Sequence, residues 1–596
     1  MTEPMTCASL LLALLPALPF TPTQENAPEQ SAPPTGFSGL PLAANPRVEI
    51  PWNRLYNIGE LYAHFDRLVE AWPGWIRMEV IGRSVEGRDM RVYTITDFES
   101  GPDTDKPAMW IDGNVHGNEV QGGEAALYLA WYVLENRQAN EAVGKLLKDS
   151  ALYILPSVNP DGRASWFEDA HNAHSSRTGV RPTDNDGDGR FDEDPPDDLD
   201  GDGHIVQMRK FMPGEGTYRI DPDDPRRMER VSSDTQGPPG DWVLLGSEGF
   251  DNDGDGRTNE DGRGGYDMNR AWPSEWQPDH VQRGAGPYPL YWPETRCIAR
   301  FLIDHPNVAA VQSFHNAGGM ILRGPGAESK GSYPRADVRV YDAIGRDGER
   351  MLPFYRYMVI WKDLYAVFGG FVTWTYEGLG IISFTNELWT NSRNFPDEDQ
   401  GSPDDRYWFD RNLLFDAGFV EWHAAQHPVY GAIEIGGFKK DVGRVPPTFL
   451  IEEMLHRNAA FCLKHALEMP KVSVGPATVS RLGGDLKAID VVFKNESLIP
   501  TRTAQAAAKA IGELDAFTCG GDRITVVAGW FRTDDWDPAL AEEPRPKDPR
   551  RMLREAGIPG RGEVRVRWIV RGRGETVMVG WEGEKALNVR QAVQIE

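Results

Sequence analysis

Cysteine is scarce in this chain: four in 596 residues, at positions 7, 297, 462 and 519. So few, so widely scattered, build neither a disulfide framework nor a four-cysteine structural zinc site. Cys297 and Cys462 fall in helical patterns and read as small buried hydrophobes. Positive charge is also short, with 63 Lys and Arg against 90 Asp and Glu and a net charge of -27. Such a surface repels a phosphate backbone, so nucleic acid is excluded as a partner. Long hydrophobic runs are missing, and no membrane span is expected in the mature protein. The apolar segment Cys7–Phe20 is too short for one and is read as part of an export signal over residues 1–27, although its flank carries Glu3 and no Lys or Arg. A secreted or periplasmic location follows. Nothing in the sequence reports an oligomeric state.

What is present argues for a folded, multidomain chain. Hydrophobic residues make up 40 %, with 19 Trp and 24 Phe, and the length exceeds what a single core supports. Residues 28–50 are Pro-rich and read as a linker. From residue 51 apolar strands alternate with helical patterns: KPAMWID, ALYILPSV, VAAVQSFH and IISFTNEL as strands, GELYAHFDRLVEAW, GGEAALYLAWYVLENR and PETRCIARFLIDH as helices. Further helices are expected near Val340–Met351, Tyr407–Gln426 and Pro447–Met469, and a turn at Asn159–Gly162. Continuous apolar strands between amphipathic helices predict an α/β domain, its mixed sheet covered on both faces, over residues 51–470. Beyond 470 the period drops to two, as in EVRVRWIV, predicting a β-sandwich accessory domain at 471–596 with a helical insertion around PRRMLREAG.

His116 and Glu119 stand three residues apart just after one strand, and His315 ends another. Two imidazoles and one carboxylate are the ligand set of a single catalytic zinc, whose fourth position is left for water. The chain has only 12 His, and two of them fall at sheet-end positions, where α/β sheets bind ligands. Glu387 interrupts the apolar strand IISFTNEL; its burial there would be costly without a use, and a general base acting on the zinc-bound water is that use. Arg270, beside Asn269, can grip a carboxylate through two parallel hydrogen bonds. Asp267 is expected to orient one imidazole.

The order HxxE, Asn-Arg, His, Glu resembles the zinc metallocarboxypeptidases of the carboxypeptidase A type, over residues 52–470. DMNRAWP is similar to the family's segment that holds a substrate's terminal carboxylate. The resemblance implies that Tyr365, 22 residues before Glu387, is the substrate-capping tyrosine. It implies that Val372 selects apolar or neutral terminal side chains, with Val367 and Thr385 beside it. Glu434, in YGAIEIGG, matches a structural position. A further arginine should stabilise the oxyanion; Arg177 and Arg209 both qualify, and Arg209 is preferred because it ends an apolar-bearing segment. The expected activity is removal of C-terminal residues from peptides. The alternative is a zinc amidohydrolase acting on peptidoglycan stem peptides or N-acyl amino acids. A calcium-stiffened binding protein without catalysis is disfavoured because no ligand or base is lost.

The stretch 163–266 is an acidic insertion. Between Arg181 and His204 ten acidic residues face two Arg. Asp184, Asp186 and Asp188, Asp198, Asp200 and Asp202, and Asp251, Asp253 and Asp255 each alternate along Gly-containing loops, spacing that lets oxygens converge on a structural Ca2+. The first and third loops, flanked by further acids, are the favoured calcium sites.

Overall fold

In the computed structural model the described residues are 45–174, 177, 179, 182, 184, 187–231, 239–259, 261–262, 264, 266–395, 403–532, 547–572 and 575–595. The expected export signal, Cys7, most of the linker and Asp186 lie outside them. Strands β1 (Ile76–Arg83), β2 (Asp89–Ile95), β3 (Ala108–Gly113) and β4 (Ala151–Leu155) come first. β5 (Gln207–Gly216), β6 (Tyr218–Ile220), β7 (Met228–Arg230) and β8 (Gly240–Ser247) follow. Then come β9 (Val308–Asn316), β10 (Met320–Arg323), β11 (Arg356–Val359), β12 (Ile382–Leu388), β13 (Phe419–His427) and β14 (Gly431–Phe438).

The main sheet is mixed and eight-stranded, in the order β1-β2-β4-β3-β9-β12-β10-β11. Its centre is parallel, β4 to β3 to β9 to β12. β3 and β9 are buried along their whole length, which explains why they are apolar without alternation. Neighbouring residues in β3 show the two covers. Met109 meets Cys462 of helix Ile451–Leu467, whereas Trp110 packs at a tilt against Phe301 of helix Pro293–Asp304, with ring centroids 5.3 Å apart. Successive side chains point to opposite faces, so helices lie on both. Helix Ile58–Ala71 starts with a capping box of Asn57 and Glu60 and buries Leu61, Phe65 and Leu68 on one stripe.

Four local expectations need correction. Asn159–Gly162 is not a free turn: Asn159 caps helix Pro160–Glu168 by accepting from the Gly162 N–H, with Pro160 in the first turn. Tyr407–Gln426 is not one helix; helix Pro403–Phe409 passes through a π turn, Asp410–Leu414, into β13. PRRMLREAG holds a strand, Arg551–Arg554, paired with Asp515–Gly520. The short helix of that region is Ala504–Lys509 instead. Finally, the insertion does more than carry acidic loops: β5 to β8 join β13 and β14 in a six-stranded antiparallel sheet, in the order β13-β14-β5-β8-β6-β7.

Residues 472–595 form two antiparallel sheets of five and four strands around a shared core that includes Phe517, Trp568 and Trp581. They are fastened to the α/β part by polar contacts. Asp337 accepts from the backbone N–H groups of Ala504 and Gln505, and Thr503 donates to the Gly380 carbonyl.

Candidate metal centre and active site

The loop after β3 is shaped by close backbone approach. A Cβ on Gly113 would fall 2.6 Å from the Gly122 carbonyl, and one on Gly122 would fall 2.9 Å from the Phe314 oxygen. Glycine at both lets the HxxE loop fold back over the ends of β3 and β9. Asn114 then donates to the His116 and Gly117 carbonyls, fixing the loop from inside.

His116, Glu119 and His315 converge there, all buried, with one ligand atom of each within 4.8 Å of the others. His116 Nδ1 stands 2.9 Å from Glu119 Oε1, and His315 Nδ1 stands 3.0 Å from Glu119 Oε2. On its other side His116 Nε2 is 3.0 Å from Asp267 Oδ1. A carboxylate only accepts, so Nε2 carries the proton and Nδ1 presents a lone pair. Buried His116 Nδ1 and Glu119 Oε2 have no hydrogen-bond partner. Lone pairs converging at this distance without a proton aligned between them need a cation, and the nitrogen and oxygen donors suit Zn2+. Burial pushes the Glu119 carboxyl up, but the two imidazoles outweigh it and hold it well below the usual carboxylate range.

Glu387 lies directly beside His315 in the parallel register of β12 and β9. Burial, and then the nearby Glu119 charge, raise its pKa above an ordinary glutamate's. A carboxylate shifted in that direction is a better proton acceptor near neutral pH.

Asp267 ties the metal cluster to a second cationic group. Besides His116, it accepts from the Asn269 N–H at 2.8 Å and lies 3.7 Å from Arg270 Nη1 and 3.9 Å from Arg177 Nη2. Asn269 Oδ1 accepts from the Phe371 N–H, anchoring this turn to helix Phe371–Leu379. Val372 is buried on that helix, and Thr385 is buried on β12. Val367 packs against the same core as Val372. Tyr365 is 52 % exposed, directly after the π turn Ile360–Leu364.

Of the two arginines considered for the oxyanion, the structure puts Arg177 at the cluster. Its Nη1 donates to Glu119 at 2.8 Å. Its Nη2 lies 3.3 Å from His116 Nε2, a contact rather than a bond, because that nitrogen's proton faces Asp267. The preference for Arg209 is therefore corrected. Arg209 pairs with Glu434 at 2.6 Å across β5 and β14 and packs against the Trp242 and Trp422 rings. Its apolar context marked a sheet position. Sequence reasoning also missed Arg444, whose Nη2 is 3.6 Å from Glu119 Oε1. It sits in KKDVGRVPP, a segment with no pattern to flag it.

Among the acidic loops, Asp198, Asp200 and Asp202 converge, as do Asp251, Asp253 and Asp255. Asp184 accepts from the Gly187 and Gly189 N–H groups, and Asp188 from that of Arg190.

A family model described as zinc carboxypeptidase matches residues 61–194 and 245–407. The chain belongs to the zinc carboxypeptidase family. A second model, described as a domain of unknown function, matches residues 471–594. The catalytic chain of carboxypeptidase N from Homo sapiens is 41 % identical over 91 residues, 15 % of this chain and 20 % of that protein. Carboxypeptidase D from Mus musculus is 34 % identical over 96 residues, 16 % of this chain and 7 % of that one. The chain thus spans about a fifth or less of these relatives. Among solved structures, thrombin activatable fibrinolysis inhibitor is 17 % identical with a TM-score of 0.42, covering 71 % of this chain and 76 % of that one. Carboxypeptidase A from Helicoverpa armigera is 16 % identical, also with a TM-score of 0.42, covering 71 % and 75 %.

Proposed function

We propose that this zinc carboxypeptidase family member hydrolyses the C-terminal peptide bond of peptides whose terminal residue is apolar or neutral. The observation that supports it most is Asp267, one carboxylate touching both a metal-ligand imidazole and the Asn269-Arg270 turn. It sets the distance between the bond to be cut and the group that reads a free chain end. Zinc, held by His116, Glu119 and His315, would polarise the scissile carbonyl and make a nearby water more acidic. Glu387 takes the proton of the attacking water and delivers it to the leaving amine. Arg177 faces the oxygen on which negative charge grows. Arg270, with Asn269, binds the terminal carboxylate; Val372 contacts the terminal side chain, and the exposed Tyr365 closes over it.

Export of the protein, a division near residue 470 with an accessory β-sandwich after it, and structural Ca2+ in the acidic loops complete the reading. No described helix is long and apolar enough to cross a membrane. The test is a matched pair of peptides, one with a free C-terminus and one amidated. The free peptide should be cut at least about 100-fold faster, the loss expected when a charged partner is left unpaired. Equal rates, or preference for a muropeptide or an N-acyl amino acid, would favour the amidohydrolase alternative.

A further inference from the structure

Where the C-terminal pair of sheets meets the α/β part, a cavity of about 150 Å³ opens near the starts of β9 and β12. The far ends of these two strands carry His315 and Glu387, so the cavity is remote from the metal cluster. Four charged residues of the C-terminal part face it: Arg502, Asp515, Glu584 and Lys585. The two cations are not neutralised there. Lys585 Nζ donates to the Val308 carbonyl at 2.6 Å. Arg502 donates to the carbonyls of Glu513, Glu555 and Ala506, which leaves two of its five N–H groups. Among the described residues no hydrogen bond of either cation goes to a carboxylate. Asp515 is held by neutral groups, accepting from Thr501 Oγ1 at 2.5 Å and Trp581 Nε1 at 3.0 Å. Gly512, at φ +66°, leaves the room that the Glu584 carboxylate occupies. Leu302, Leu379 and Ile381 from the α/β part make the opposite wall apolar.

We propose that this junction cavity binds one free apolar α-amino acid, of the size of valine or leucine. Charges of both signs around one small space, each lacking an opposite partner, are the pattern a zwitterion satisfies. The carboxylate of the ligand pairs with Arg502 and Lys585, its ammonium with Asp515 and Glu584, and its side chain meets the apolar wall. Burial holds the Lys585 ammonium down, to about 8, and the Asp515 carboxyl up, to about 6, so each gains from an opposite charge brought beside it. The volume excludes a peptide: a cavity of about 150 Å³ admits a molecule of the size of benzene. The acids disfavour an inorganic oxyanion, which carries no positive end to meet them. A bound amino acid touches both parts of the chain and so fastens the junction. The proposed hydrolysis releases this class of molecule; the source of the ligand rests on that reading, its binding here does not.

The test titrates L-leucine calorimetrically into the full zinc-loaded chain carrying Arg270→Ala, which removes the group proposed to read a carboxylate in the active site. One saturable site per chain is expected, and Tm should rise with leucine concentration. Adding Lys585→Met should weaken that site about tenfold or more, the scale of one lost charge-assisted hydrogen bond. Ile303→Trp, at a lining position 59 % exposed, narrows the cavity without touching its charges and should weaken binding likewise. It keeps the test decisive where Lys585→Met loosens the junction. Val429→Ala, on the exposed turn between β13 and β14, should leave the affinity as it was. Leucinamide and 4-methylpentanoate each lack one charge of leucine, and each should bind about tenfold or more weakly. Absence of binding, affinity retained in both cavity variants, or either analogue matching leucine overturns the proposal. Failure of the reading of the active site shows separately, as hydrolysis indifferent to C-terminal amidation while leucine still binds at the junction.

Discussion

Replacing Asp267 by Asn separates a structural turn from a tuned metal site. The substitution keeps the shape and an oxygen to accept the Asn269 N–H, now 2.8 Å away. It removes the charge that faces His116 Nε2 at 3.0 Å and the guanidinium of Arg270 at 3.7 Å. Burial raises the Asp267 carboxyl, but His116, Arg270 and Arg177 together hold it well below the usual range, so it is ionised in the native protein. Loss of such a partner behind a ligating histidine typically costs 10–100-fold in metal affinity, about 1.4–2.7 kcal/mol. Zinc affinity measured by chelator competition should fall by that factor. The KM for free-C-terminus peptides should rise in the same variant, because the carboxylate that positions the Arg270 guanidinium is lost. Zinc affinity unchanged to within twofold would refute the idea that Asp267 couples the two halves of the site.

Other expectations are direct. Glu387→Gln should retain zinc while kcat falls by about 10²–10⁴, the range for a removed general base; undiminished turnover rules the assignment out. Arg177→Ala should lower kcat by about 10²–10³. Arg209→Ala should leave kcat/KM in place and reduce stability by about 1–3 kcal/mol, since it strips Glu434 of its partner; the opposite pattern would restore Arg209 as the catalytic arginine. Asp515 is buried, and burial pushes its pKa up to about 6. The folded state therefore holds this proton more tightly than the unfolded chain, so stability contributed by the protonated group is present at low pH and lost as pH rises through about 6. Asp515→Asn, measured against the wild type by thermal unfolding, should gain relative stability by up to about 3 kcal/mol between pH 4 and pH 8; a pH-independent difference contradicts the shift.

Much of this was legible in the sequence for identifiable reasons. The strands carrying His315 and Glu387 are buried on both faces, so continuous apolar runs marked them, and a polar residue inside such a run stood out. Helix Ile58–Ala71 announced itself through its cap and stripe. What failed was context set by distant pairing. Phe419–His427 read as helix because its aromatic and small residues fit either period, and only pairing with β14 decides it. Arg209 looked catalytic because its acid partner, Glu434, lies 225 residues away. Arg444 carried no local signal at all; its position follows from Gln121 and Asn316, which hold its backbone.

Anomalous diffraction at the zinc edge from crystals of the zinc-loaded chain tests the central claim most directly. The account predicts one strong peak within coordination distance of His116 Nδ1, His315 Nδ1 and the Glu119 carboxylate, about 2.0–2.2 Å from each. Crystals that hold zinc elsewhere, with these three side chains hydrogen-bonded to other partners, would contradict it.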